Sequence, residues 1–204
     1  MKYLVSLLLV LSTSAYAYAQ ETIPGQTIYS SNFDIDNISR TCTFYIPLNY
    51  GKSEAYPLVL ILNDKGSNAK NIIKNYGDMI HAHADSISAI VLYADAVAGG
   101  WNDGTGKDSI NDVGYLSILT DYFVQRYQAD ASKVFIIGLG SAAVMAKRFG
   151  CDLPGKVAAI VSFSDTVSQN GCTNLAVPIM PLKRNVNAVN IHNAFGFFML
   201  HLKE

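Results

Sequence analysis

The sequence predicts an α/β architecture: a mostly parallel sheet with helices on both faces and an antiparallel edge at its N-terminal side. Three observations predict it. The apolar runs "PLVLILN", "AIVLYAD", "KVFIIG" and "VAAIVSFS" have the length and continuity of strands buried on both faces. Segments of helical pattern lie between them, and that alternation implies crossover connections within a parallel sheet. Ahead of them stand two alternating segments rich in Tyr, Phe, Ile and Thr, "GQTIYSSNFD" and "RTCTFYIPL", which pattern as antiparallel strands.

The chain opens with "MKYLVSLLLVLSTSAYAYAQ". Lys2 supplies a positive charge, Leu4 to Leu11 form an apolar run too short to span a bilayer, and Ala17-Tyr18-Ala19 makes a small-x-small cleavage site. Residues 1–19 are therefore expected to be a secretory signal peptide. Export places the mature protein in the periplasm or outside the cell, with no membrane attachment after cleavage.

After the two leading strands, "NYGKSEAYP" reads as a turn and "PLVLILN" as a buried strand. "NAKNIIKNYGDMIHAHADS" follows as a helix, then "AIVLYAD" as a strand. The glycines of "AVAGGWNDGTGKDS" mark a loop. "NDVGYLSILTDYFVQRYQ" is an amphipathic helix with Leu116, Leu119, Phe123 and Tyr127 on one face, and Asp112 suits the positive end of its dipole. Strand "KVFIIG", helix "SAAVMAKRFG", strand "VAAIVSFS" and a short strand "VPIMPL" complete the pattern. One domain is expected over residues 20–182, followed by a divergent tail over residues 183–204. In open sheets of this kind chemistry sits at the carboxyl ends of the strands, so the loops after Asn63, Ala94, Gly138 and Ser164 matter most.

Composition fits one globular domain. Of 204 residues, 50% are hydrophobic and 15% charged, which excludes a disordered chain. Fifteen basic and sixteen acidic residues leave a net charge of −1 with no basic stripe, which excludes the nucleic-acid binders. Three cysteines, Cys42, Cys151 and Cys172, allow one disulfide and one leftover thiol. Cys151 and Cys172 are the better pair, because they flank one excursion whose closure is worth about 3 kcal/mol. Cys42, in the apolar "TCTFYIP", reads as a buried thiol; the alternative is three unpaired buried cysteines. His81 and His83 are two residues apart on a helix and do not share a face, so no metal site is expected there.

The stretches "RTCTFYIPL", "YPLVLILND", "AIVLYADAVAGGWNDGTG", "INDVGYLSILTDYFVQRYQADASKVFIIGLGSAAVMAKRFGC", "KVAAIVSFS" and "CTNLAVPIM" occur in one order between about residue 25 and about residue 180. In these stretches, and most specifically in "GGWNDG" and "NDVGYL", the chain resembles the secreted polyhydroxybutyrate depolymerase and feruloyl esterase branch of the α/β-hydrolases. The resemblance implies an α/β-hydrolase-like fold and serine-nucleophile hydrolysis of a small or polymeric ester, such as a polyhydroxyalkanoate or a hydroxycinnamoyl ester. It implies no metal and no organic cofactor.

Such chemistry needs a serine at the tip of a strained strand-to-helix elbow. In "GLGSAAVMAKRFG" the small residues Gly138, Ala142 and Ala143 keep the elbow, but Gly140 stands at the nucleophile position. Ser141 follows one residue later, where its side chain leaves in another direction. Ser141 is the candidate nucleophile if one exists; the bland reading makes it a helix cap. The strand that should lead into the oxyanion donors ends in Asn63-Asp64, and Asp64 brings negative charge where an oxyanion would develop. Trp101 is a candidate for the substrate cleft, or else it anchors its loop to the core.

The resemblance also implies an acid and a histidine after the nucleophile. Past Met180 the tail "PLKRNVNAVNIHNAFGFFMLHLKE" has no aspartate and matches nothing in the family, so a C-terminal truncation is expected. Asp165 falls one crossover too early, and His192 reads as a surface or packing residue. The sequence therefore supports an esterase-family hydrolase with catalysis lost or much reduced. The alternatives are a non-catalytic secreted binding protein on the same scaffold and a truncated gene remnant.

Overall fold

The apolar runs pair into one seven-stranded sheet of order β1-β2-β4-β3-β5-β6-β7. The structure, a computed structural model, describes residues 23–97, 99–104, 110–165 and 175–202. The expected signal peptide and Cys172, with its proposed bridge to Cys151, lie outside the described residues.

Strand β1 (Thr27–Ile35) turns back into β2 (Ile38–Tyr45) through Asp36 and Asn37, both at positive φ. Two left-handed residues match the twist of a two-residue hairpin, and Asp and Asn are the side chains that tolerate that region. β2 pairs antiparallel with β4 (Ile90–Ala94). From there β3 (Tyr56–Leu62), β5 (Ala129–Leu139), β6 (Ala159–Phe163) and β7 (Ile179–Leu182) are all parallel. The predicted fold class holds, down to the antiparallel N-terminal edge. β5 begins at Ala129 rather than near Lys133, because Ala129 pairs with Tyr56 before the register shift.

Alternation along each strand divides the core. Leu58, Leu60 and Leu62 face α2 (Asp112–Arg126) and α3 (Ala142–Asp152), joining Leu116, Phe123, Met145 and Phe149. Val59 and Ile61 face α1 (Ala69–Ser86) and α4 (Ala188–Leu200), joining Ile72, Ile80, Phe195 and Phe198. Each such side chain contributes about 1.5–3 kcal/mol on burial. Cys42 is a free, buried thiol, and burial with the nearby Asp95 charge pushes it up to about 12.

Helix α4 lies within residues 183–204. Asn187 caps it, its side chain accepting from the Asn190 N–H. Ile191, Ala194, Phe195 and Phe198 are buried on its inner face, and Phe198 stacks on Phe135 of β5 with centroids 4.6 Å apart. This segment is thus part of the core. Its pattern is hard to read because Val189, Met199 and Leu200 make the outer face apolar too. No helix among the described residues is long and apolar enough to cross a membrane.

Candidate functional site at the strand-to-helix elbow

The ends of β3 and β5 lie side by side, Leu62 opposite Gly138, so the loops that follow them meet. After β5 the chain turns sharply into α3. A Cβ on Gly138 would stand 2.6 Å from the Ala143 Cα, so only glycine lets the helix approach the strand this closely. Gly140 takes φ +56°, and its N–H donates to the Phe163 carbonyl at 2.8 Å. The elbow expected from the sequence is present, with glycine at its tip.

The space over that tip is filled. A Cβ built on Gly140 would lie 2.2 Å from Oδ2 and 2.3 Å from Cγ of Asp64. The Asp64 carboxylate therefore occupies the volume a serine side chain would need. Its Oδ1 accepts the Ser141 N–H at 2.8 Å, the Ser141 hydroxyl at 2.8 Å and the Lys65 N–H at 2.8 Å. Its Oδ2 pairs with the Arg184 guanidinium. Burial pushes the Asp64 carboxyl up, but the donors from Ser141, Arg184 and Lys65 together hold it below the usual carboxylate range.

Ser141 is not a capping residue of the expected kind. Its φ and ψ, −64° and −28°, are already helical, and its side chain makes no cap hydrogen bond. The hydroxyl faces back across the loop, donating to Asp64 and accepting from the Lys65 N–H at 2.9 Å. Among the described residues no histidine bonds to it. His192 stands 3.4 Å from His83 between α4 and α1, and His201 packs on Phe197. Asp165 accepts the Arg184 N–H at 3.2 Å. Asp64 is a poor general base for Ser141, because a carboxylate held at low pKa has little drive to take a proton.

Asn63 is buried and braces the loop rather than facing a cleft. Its amide donates to the Ser67 carbonyl at 2.8 Å and accepts from the Ala96 N–H at 3.4 Å. Trp101 donates its indole N–H to the Asn63 carbonyl at 3.0 Å and stacks on Tyr115. It packs against the core and ties its loop to the end of β3, and it is not among the residues around the cavity beside the elbow. Asp112 does more than face a helix dipole: it is buried, pairs with Arg40 and accepts the Asn102 N–H. The "GGWNDG" and "NDVGYL" motifs therefore build scaffold.

A cavity of about 410 Å³ opens beside the elbow. Asp64, Lys65, Gly140 and Arg184 form its charged end; Ile72, Leu139, Phe163 and Val186 supply apolar walls, with Asn71, Asn75 and Tyr76 at the side of α1. Arg184 is the residue that sequence reasoning missed. It lies 120 positions from Asp64, and only the unusual acid at position 64 signalled that a cation should face it. Among the described residues no group of three or more His, Cys, Asp or Glu is placed to hold a metal ion.

No protein-family profile matches the chain. It is 25% identical over 164 residues to feruloyl esterase D of Neurospora crassa, covering 76% of this chain and 54% of that protein. It is 26% identical over 114 residues to a protein described as an esterase, NocK, of Nocardia uniformis subsp. tsuyamanensis, covering 53% of this chain and 33% of that one. The match thus spans only about a third to about half the length of these curated relatives. Among solved structures, acetyl xylan esterase from Aspergillus awamori superposes with a TM-score of 0.56 at 21% identity, covering 69% of this chain and 53% of that one. S-formylglutathione hydrolase from Agrobacterium tumefaciens superposes with a TM-score of 0.58 at 14% identity, covering 91% and 96%. Sheet order, elbow and these likenesses agree: the chain has the α/β-hydrolase fold of the esterases it resembles.

Proposed function

We propose that this chain is a secreted protein of the depolymerase and feruloyl esterase kind in which ester hydrolysis is lost or reduced by several orders of magnitude. One observation carries the reading: the Asp64 carboxylate fills the space above Gly140 where a nucleophile would project. Attack on a carbonyl needs a hydroxyl at that tip and a base to deprotonate it. The chain offers a glycine at the tip and, at Ser141, a hydroxyl bonded to a weakly basic carboxylate. Removing one member of such a unit costs orders of magnitude in rate, and further losses add little because the members act together. The curated esterase relatives support the substrate class, an ester of a small or polymeric acid. Export rests on residues 1–19. A bridge from Cys151 to Cys172 belongs to the same reading, supported by the oxidising compartment and by Cys42 being the free thiol among the described residues.

The test is hydrolysis of p-nitrophenyl acetate by purified mature protein. We expect no turnover above buffer and no change on Ser141→Ala. Saturable turnover abolished by Ser141→Ala would overturn the reading. The cavity beside the elbow favours a second reading, in which the protein binds a ligand without turning it over.

A further inference from the structure

The part of the esterase machinery that survives is the seat for negative charge. In the elbow enzymes an oxyanion is held by the N–H of the residue after the nucleophile and an N–H from the loop after the facing strand. The corresponding groups here, the Ser141 and Lys65 amides, both point at one atom, and that atom is Asp64 Oδ1. The Ser141 hydroxyl adds a third donor to it. Two amides from different loops converging at 2.8 Å on a carboxylate oxygen make a formed anion seat at the start of a helix, and an anion is sitting in it.

We propose that the cavity is a binding site for a small organic carboxylate, with this seat receiving the carboxylate, and that the Asp64 side chain is an internal occupant which such a ligand must displace. Arg184 is the counter-charge that a displaced or incoming carboxylate would share. Its Nε and Nη1, like the Lys65 Nζ, donate no hydrogen bond among the described residues, so the charged end of the cavity carries two cations against one carboxylate. The apolar walls from Ile72, Leu139, Phe163 and Val186 fit the body of an aromatic or short acyl acid, and a volume of about 410 Å³ lies within the ordinary range for small-molecule sites. An internal occupant lowers apparent affinity by the fraction of time the seat is open, so a seat filled nine-tenths of the time binds an outside ligand about tenfold more weakly.

The experiment is titration of benzoate into wild type, Asp64→Gly and Asp64→Asn, by calorimetry and by amide NMR, with benzyl alcohol as the uncharged probe. Asp64→Gly should bind benzoate at least tenfold more tightly than wild type. The Lys65 and Ser141 amide resonances should move saturably, benzyl alcohol should not reproduce the shifts, and adding Arg184→Ala should weaken binding again. Asp64→Asn keeps the size of the occupant without its charge and should fall between wild type and Asp64→Gly; it decides the matter if Asp64→Gly does not fold. Equal affinity in wild type and the folded variants, or binding that leaves those two amides unmoved, would overturn the proposal. The inference rests on the silent tip proposed above, but its readout is binding: turnover by the wild type would sink that reading, and this contrast would be decided separately.

Discussion

Two of the Asp–Arg pairs among the described residues have opposite settings. Arg40 and Asp112 lie in the core, their side chains 2% and 0% exposed, while Arg184 and Asp64 stand at the cavity, 58% and 24% exposed. The buried pair ties three elements together. Arg40 on β2 lies 4.4 Å from the Tyr115 ring centroid, and Asp112 at the start of α2 also accepts the Asn102 N–H of the glycine-rich loop. Even so, Arg40 Nε and Nη1 find no acceptor among the described residues. Such a pair costs much to desolvate and more to break. The cavity pair is reached by water and screened, so it adds little to stability, yet its carboxylate decides what can occupy the elbow. The lesson is that an ion pair's energetic weight and its functional weight are set by different surroundings.

Asp112→Ala tests the contrast most severely. It leaves the Arg40 charge buried and unpaired, so about 3–5 kcal/mol of stability should be lost in denaturant unfolding. A loss under about 1 kcal/mol would erase the distinction between the pairs. Acidification comes next. Burial holds His81 down to about 4, where it stacks on Tyr45 and takes the Tyr93 hydroxyl at 2.9 Å. Above pH about 6.5 it is neutral in both states. Between about 6.5 and about 4 only the unfolded chain takes the proton, so stability falls as pH falls, by on the order of 2–3 kcal/mol in all. The Asp64 carboxyl, held low, contributes stability that persists above its unfolded pKa and is lost only as pH falls through its lower folded value. His81→Gln should therefore flatten the loss above pH 4, and an unchanged slope there would shift the blame to the carboxylates.

A smaller effect separates the cavity pair from the tip it covers. Gly140→Ser places a side chain at positive φ and against Asp64, costing about 1–3 kcal/mol and restoring no esterase activity. Adding Asp64→Gly should recover the part of that cost due to collision, as a double-mutant cycle would show; additive losses would mean the two sites do not share space. Arg184→Ala should change stability least, by less than about 1 kcal/mol. A drop of several kcal/mol would make the cavity pair as structural as the buried one.

Much of the scaffold was legible. The apolar runs could only be strands buried on both faces, and their spacing required crossovers, so layers and parallel order followed from pattern. The glycine at position 140 could be placed at the tip of the turn because the elbow around it kept its small residues. Trp101 and Ser141 were less transparent. A tryptophan in a glycine-rich loop reads alike whether it faces ligand or core, and the Asn63 carbonyl that takes its indole N–H is 38 positions away. Ser141 carries the residue type of a cap, but its helical backbone leaves the hydroxyl aimed at Asp64 instead. Helix α4 escaped notice because apolar residues on both its faces hide the helical period.

By itself the sequence determined the layering, the antiparallel edge and the glycine at the turn of the elbow, since all three depend on residue type and local spacing. Only the tertiary structure decided what stands over that tip. Asp64 meets Ser141 across 77 positions and Arg184 across 120, and an encounter between loops so far apart depends on how the strands are ordered in the sheet. A side chain's chemistry can be read from its name, but the group it neutralises is chosen by the fold.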